Sequence, residues 1–346
     1  MSNFDPLSWY PDMQPVPADA SAAPRLAIVV DTEESFDWNA PFTRAATDVS
    51  HLAHADRLQA LCDPYGIAPC YVVDGPVAAQ PAGYEPLRAL LQTGRAQIGA
   101  HLHPWVTPPF DEEVNARNAY PGNLPLALER AKLMHLTDAI TQNFGQRPTV
   151  YKAGRYGFGP HTAHLLGELG YRVDLSPSPG FDQSADGGPD YARFPSAPFT
   201  FSGGEGRRLL CLPTSGGYAG WLGGWGPALQ HACESPLGQM LKLTPLLDRS
   251  RAMARMRLSP EGYDLGEMQR MTRHLLGCGE RVVTVSLHSP SLATGNTPYV
   301  RDEEELAAFL GRLGEYIRWF IEDVGGKPAP QMAELAQEHV GEPAAK

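Results

Sequence analysis

Two histidines, His101 and His103, close the short apolar run QIGAHLH at residues 97–103. Alternate residues of a strand share a face, with Cα atoms about 6.6 Å apart, so both imidazoles look the same way. Neutral imidazole is the commonest side-chain metal ligand. Asp31 and Glu33 repeat the i, i+2 spacing at the end of LAIVVD, residues 26–31. One carboxylate with two imidazoles makes an open site for a divalent metal, with water in the free positions. The second carboxylate is then free to act as a base. The spacing leaves open which of Asp31 and Glu33 takes which role. Thr32 and Glu34 fall on the opposite face, and Glu34 and Asp37 read as solvated loop acids.

These residues need elements to hold them. Buried-type strands are expected at residues 26–31, 67–74, 97–101, 149–154, 171–176, 208–213 and 282–288, each a short apolar run bounded by turn residues. Helices are expected at 49–64, 84–94, 125–144, 160–170, 260–279 and 302–324, the fifth with Pro260 in its first turn after Ser259. Seven β-then-α units predict a closed or nearly closed parallel (β/α) barrel over residues 25–330, with a doubly wound open sheet as the alternative. Residues 1–24 read as an irregular arm and 331–346 as a tail. Stretch 177–256 carries long loops and little pattern.

Active sites of parallel β/α folds lie at the C-terminal strand ends. Here those ends carry Asp31 and Glu33, Asp74, His101 and His103, Lys152 and Arg155, Asp174 and Ser176, and His288. Arg155 is expected to orient a catalytic carboxylate and keep it ionised. Asp174 is placed to hold a neighbouring histidine or loop. His288 is a candidate general acid for a departing amine or alkoxide.

The chain's 346 residues include 28 Lys and Arg against 39 Asp and Glu, a net charge of −11. That opposes nucleic-acid binding and docking on an anionic membrane. It also fits a neutral or cationic product better than an anionic polymer. Five scattered cysteines without a CxxC support neither a disulfide framework nor a cysteine zinc site. No apolar run approaches the roughly 18 residues that span a membrane. The first 25 residues lack the basic and apolar regions of a secretory signal, so the expected location is cytoplasmic.

Five stretches together resemble the polysaccharide deacetylases, the NodB-homology or carbohydrate esterase family 4 group. They are LAIVVDTEE, GAHLHPW, KAGRYGFG, VDLS and SLHS, in the family's order across most of the chain. The chain departs from the family's commoner pattern in having Asp-x-Glu for adjacent Asp-Asp. Its histidines stand two apart rather than four, with Trp105 where the second would be. The resemblance implies a distorted seven-stranded parallel (β/α) barrel of the NodB-homology type. It implies a divalent metal, zinc above all, and hydrolysis of an acetyl group from an N- or O-acetylated carbohydrate. Carried over, Asp31 is the general base, Glu33, His101 and His103 bind metal, Arg155 holds Asp31 and His288 is the general acid. Trp105, Trp221 and Trp225 in rim loops, with Tyr156 beside Arg155, are the candidate sugar-binding residues. With no export signal read, a lipid-linked or nucleotide-linked sugar precursor is the expected kind of substrate.

Three other readings compete. Amidohydrolases also open with His-x-His, and Lys152 fits their strand-four lysine, but their later histidines and last-strand aspartate have no counterpart here. Hydrolysis of a non-sugar C–N amide bond on the same fold is a second. The third is a catalytically inactive carbohydrate-binding protein.

Overall fold

The apolar runs form strands buried on both faces. In the computed structural model, which describes residues 5–341, seven strands make the parallel body. They are β1 (Arg25–Thr32), β2 (Cys70–Val73), β3 (Gln97–Leu102), β4 (Val150–Ala153), β5 (Val173–Asp174), β6 (Arg208–Cys211) and β7 (Val282–His288). They lie side by side in the order β7-β1-β2-β3-β4-β5-β6. Beyond β6 the sheet continues antiparallel, through Phe199–Ser202 and then Gln14–Pro15.

Alternation along the strands divides the core. Ala27 and Val29 of β1, Cys70 and Val72 of β2, Val150 of β4 and Val173 of β5 share one apolar cluster with Met332, Leu335 and Ala336. Ile28, Val30, Tyr71, Val73 and Tyr151 belong to the larger cluster formed with the surrounding helices. The first series is the inner face of the curled sheet. Two residues further on, the same series reaches Asp31 on β1 and Lys152 on β4, with Glu33 just past the end of β1. The inner face is therefore apolar where the strands begin and polar where they end.

The barrel is distorted because β6 and β7 do not pair directly. Ser215 and Thr284 exchange hydrogen bonds instead: each backbone N–H donates to the other's hydroxyl oxygen at 2.9 Å. Leu258 N–H donates to the Ser215 carbonyl at 2.8 Å, and Ser286 N–H donates to the Leu258 carbonyl at 3.1 Å. Leu258 follows an antiparallel hairpin, Gly216–Ala219 with Ala254–Arg257, that the sequence pattern leaves unread. The gap between β6 and β7 is thus filled by a segment that brings its neighbours to the site.

Two expectations are corrected. The fifth helix starts at Leu265, capped reciprocally by Asp264 and Glu267, because this capping box satisfies two terminal N–H groups that Ser259 cannot reach. Residues 259–263 are loop. The supposed tail contains a helix, Met332–Val340, whose buried face closes the barrel floor; residues 342–346 lie outside the described part. The irregular arm is tied down through Tyr10, which is buried and stacks on Phe158 with ring centroids 4.2 Å apart; residues 1–4 also lie outside. No helix among the described residues is long and apolar enough to cross a membrane.

Candidate active site

At the C-terminal strand ends opens a cavity of about 420 Å³ whose wall includes Asp31, Glu33, His101, His103 and His288. A neighbouring hollow of about 450 Å³ shares Phe36 and Trp38 with it but contains none of these five. Asp31, Glu33, His101 and His103 are buried at its base.

The Glu33 Oε2 atom lies 3.4 Å from His103 Nε2 and 3.7 Å from His101 Nε2. All three donor atoms fall within 4.8 Å of one another. His101 Nδ1 donates to the Lys152 carbonyl at 2.9 Å. A carbonyl can only accept, so the His101 Nε2 lone pair faces the cavity. His103 Nδ1 is held by Glu34 Oε2 at 2.9 Å, and Trp105 Nε1 donates to the other Glu34 oxygen at 2.7 Å. Burial pushes Glu34 up to about 8; a cation on the far side of the imidazole would act in the opposite direction. Burial likewise lowers both imidazoles, His103 to about 4, so they are neutral near pH 7. Glu33 Oε1 is buried without a hydrogen-bond partner. Two neutral imidazoles with oriented Nδ1 groups and a carboxylate with an unsatisfied oxygen fit a divalent cation.

Glu34, Asp74 and His103 also come together, but as the support of that set. Asp74 accepts from the Glu34 N–H at 2.8 Å and the Val77 N–H at 2.9 Å. Glu34 is fully buried, not a solvated acid. The chain turns after Thr32, so alternation no longer carries Glu34 outward. Asp37 is exposed as expected.

Beside this set, Lys152 Nζ donates to both Asp31 oxygens, at 2.6 and 2.7 Å. Burial alone would raise Asp31, but Lys152, His101 and His288 hold it at about 2. Lys152 therefore takes the place expected of Arg155. Arg155 does line the cavity, yet it bonds to the Ala116 carbonyl at 3.0 Å and to Asp186 at 3.2 Å. The reason is local. Lys152 is two residues beyond Val150 on the inner face, whereas Arg155 and Tyr156 stand past the strand end with φ of 53° and 60°. Two consecutive left-handed side-chain-bearing residues are costly and mark a shaped site. The turn sets the Tyr156 ring 5.2 Å from Lys152 Nζ. Gly154 precedes it because an added Cβ would meet the Leu102 carbonyl and lie 2.6 Å from His103 Cδ2.

On the far wall, His288 Nδ1 bonds to Glu261 at 2.7 Å, and its Nε2 lies 3.7 Å from Asp31. Burial disfavours the imidazolium, but Glu261, Glu33 and Asp31 outweigh it and raise His288 to about 10. Glu261 also accepts from the His288 N–H and from Ser291. Trp38 sets its ring edge-on to His288, centroids 4.8 Å apart.

Of the remaining sequence-predicted residues, Trp105 and Tyr156 reach the cavity wall and Asp174, Trp221 and Trp225 do not. Asp174 is outside the cavity: on β5 it has the outward parity, while Val173 faces in. It accepts from the Tyr10 hydroxyl at 2.9 Å and from Ser176, anchoring the N-terminal arm. Trp105 is 2 % exposed and stacks on His103 with centroids 4.2 Å apart. It lines the cavity wall but, packed on the imidazole, leaves almost no exposed surface for a sugar. Its loop is pinned by Lys132, which donates to the carbonyls of Pro104, Thr107 and Pro109. Trp221 and Trp225 are 75 % and 70 % exposed on a helical excursion that does not reach the cavity. Tyr156 does line it.

Sequence reasoning passed over Glu261, Arg257, Trp38 and Tyr299. Glu261 was hidden by the helix expected from Pro260, and Arg257 by the unread hairpin. Lys152 stands among the strand-end residues read from the sequence, but the role of partner to Asp31 falls there to Arg155, although the alternation of Lys152 with Val150 is visible.

This curled sheet of parallel strands is the (β/α) barrel of the NodB type found in polysaccharide deacetylases of carbohydrate esterase family 4. No family model matches the sequence, and no curated protein is significantly similar to it. Among solved structures, one assigned as a polysaccharide deacetylase from Mycobacterium smegmatis is 14 % identical with a TM-score of 0.54, over 95 % of each chain. The PuuE allantoinase is also 14 % identical with a TM-score of 0.54, over 90 % of this chain and 89 % of that one. A family 4 pseudoenzyme from Bacillus anthracis is 9 % identical with a TM-score of 0.45, over 91 % of this chain and 66 % of that one.

Proposed function

We propose that this protein is a metal-dependent hydrolase that removes an acetyl group from an N- or O-acetylated sugar. The observation that carries the reading is one cavity holding three charge devices side by side. They are the Glu33–His101–His103 donor set, the Asp31–Lys152 pair and the Glu261–His288 pair.

Glu33, His101 and His103 would hold the cation, and two imidazoles with one carboxylate favour zinc. When bound, such an ion lowers the pKa of a coordinated water and polarises an acyl oxygen. The side chains supply the proton traffic. Asp31, kept ionised by Lys152, accepts a proton from the water that attacks the acyl carbon. His288, kept cationic by Glu261, donates a proton to the departing amine or alkoxide, so the leaving group exits neutral. Trp38 and Phe36 narrow the mouth and exclude water around the reacting carbonyl.

The test is acetate release from N-acetylglucosamine oligomers by the zinc-loaded full chain. Asp31→Asn is expected to abolish turnover while zinc content, read by atomic spectroscopy, stays at the wild-type level. A near-wild-type rate in that variant removes Asp31 from its role. The allantoinase match, at the same TM-score, favours one second reading: hydrolysis of a non-sugar C–N bond. Zinc content with amide hydrolysis but no acetyl-sugar hydrolysis selects it. Neither metal nor hydrolysis of a generic acetyl ester selects an inactive binding protein.

A further inference from the structure

Arg257 ends the hairpin strand Ala254–Arg257 and enters the cavity wall beside Tyr156 and Tyr299. Its guanidinium packs against two aromatic rings, with Cζ 3.8 Å from the Phe181 centroid and 4.7 Å from that of Tyr156. Its Nε donates to the Ser178 hydroxyl at 2.8 Å. These contacts fix the plane and one edge of the group. They leave both terminal nitrogens without an acceptor among the described residues, and Arg257 joins no ion pair there. The other arginine of the cavity differs: Arg155 is matched by Asp186. Asp182 lines the same wall as Arg257, but its Oδ1 takes the Ser184 N–H and it forms no ion pair with Arg257.

A half-buried, stacked guanidinium with two free nitrogens is a preorganised fork for an oxyanion. Ordering a flexible arginine is a main cost of such recognition, and here the two rings and Ser178 have already met it. Tyr156 ties the fork to the reacting centre, since the ring that stacks on Arg257 also lies over Lys152, the partner of Asp31. The strained backbone at Arg155 and Tyr156 sets that ring between the two cations.

We propose that Arg257 recognises an anionic group on the substrate, so that the preferred substrate is an acetylated sugar bearing a carboxylate or a phosphate. This takes the cavity as the substrate site, as in the function proposed above, and departs from the neutral or cationic product that the net charge of −11 fits better. Global charge sets long-range steering, whereas a single desolvated fork decides which group is held at contact.

The test separates binding from turnover. Calorimetry on the full chain compares glucose, glucuronate and glucose 6-phosphate. The expected result is that one or both anions bind about 10- to 100-fold tighter than glucose, the range for a charge-assisted pair. Which anion gains more distinguishes a carboxylate from a phosphate. In Arg257→Gln that preference falls to near one; in Arg257→Lys, which keeps charge but loses the fork, part of it returns. Equal affinity of the wild type for all three sugars overturns the inference. So does an anion preference that survives in Arg257→Gln, because the cavity's metal ligands then hold the anion. Circular dichroism of each variant guards against misfolding. Turnover is read separately, as the kcat/KM ratio for N-acetylglucosamine 6-phosphate over N-acetylglucosamine. Anion preference in binding with no acetate release from either keeps the Arg257 assignment and removes the deacetylase reading.

Discussion

Replacing Lys152 by methionine separates the partner of Asp31 found in the structure from Arg155, the partner that the motif resemblance implies. Lys152 is 1 % exposed and Asp31 4 % exposed, and Nζ reaches both carboxylate oxygens at 2.6 and 2.7 Å. Removing the lysine leaves a carboxylate buried without its cation, a loss of about 3–5 kcal/mol. Asp31→Asn alone leaves a buried ammonium and costs a similar amount. The double variant removes both charges, so its cost is well below the sum, with a coupling of about 2–3 kcal/mol. The assay is urea unfolding of the chelator-treated full chain, with the four proteins of the cycle at pH 7. The same cycle with Arg155→Met is expected to be additive within about 0.5 kcal/mol, because Arg155 pairs with Asp186 instead. Coupling of Asp31 to Arg155, or additivity with Lys152, would refute the assignment.

Two further outcomes follow from buried acids. Glu34 accepts an N–H on each oxygen, from His103 and Trp105, and the amide of Glu34→Gln can accept on only one. Zinc affinity, measured by competition with a chromophoric chelator, is expected to fall about 10- to 100-fold while Glu33, His101 and His103 remain in place. Glu129 is fully buried with Oε2 unpartnered, and burial raises it to about 8. It is a neutral acid in the folded chain and a carboxylate in the unfolded one above about pH 4.5, so stability falls as pH rises from there towards 8. The gap corresponds to roughly 5 kcal/mol. Glu129→Gln should flatten that dependence, with denaturant midpoints compared at pH 5 and pH 8; equal slopes in both proteins would contradict the assignment.

Strand alternation accounts for most of what could be read in advance. The seven apolar runs are continuous because their strands are buried on both faces, and continuous runs are distinctive. The i, i+2 rule put Asp31 with Glu33 and His101 with His103, and all four share the cavity. Applied to β4 and β5 it also separates inward Lys152 from outward Asp174. It lost its hold where the chain leaves the strand: at Glu34, which turns inward, and at Arg155 and Tyr156, whose left-handed conformation no residue pattern announces. Glu261 and Arg257 were beyond reach for another reason. They lie on a loop and a hairpin with no apolar period of their own.

Local patterning, then, decided which faces are buried and which polar residues crowd the strand ends, because burial of alternating side chains is written residue by residue. Tertiary packing decided which of those residues meet. The insertion of Leu258 between β6 and β7 carries Glu261 to His288 and Arg257 to the cavity wall. Such partnerships span long separations in the chain, and no spacing rule reaches across them.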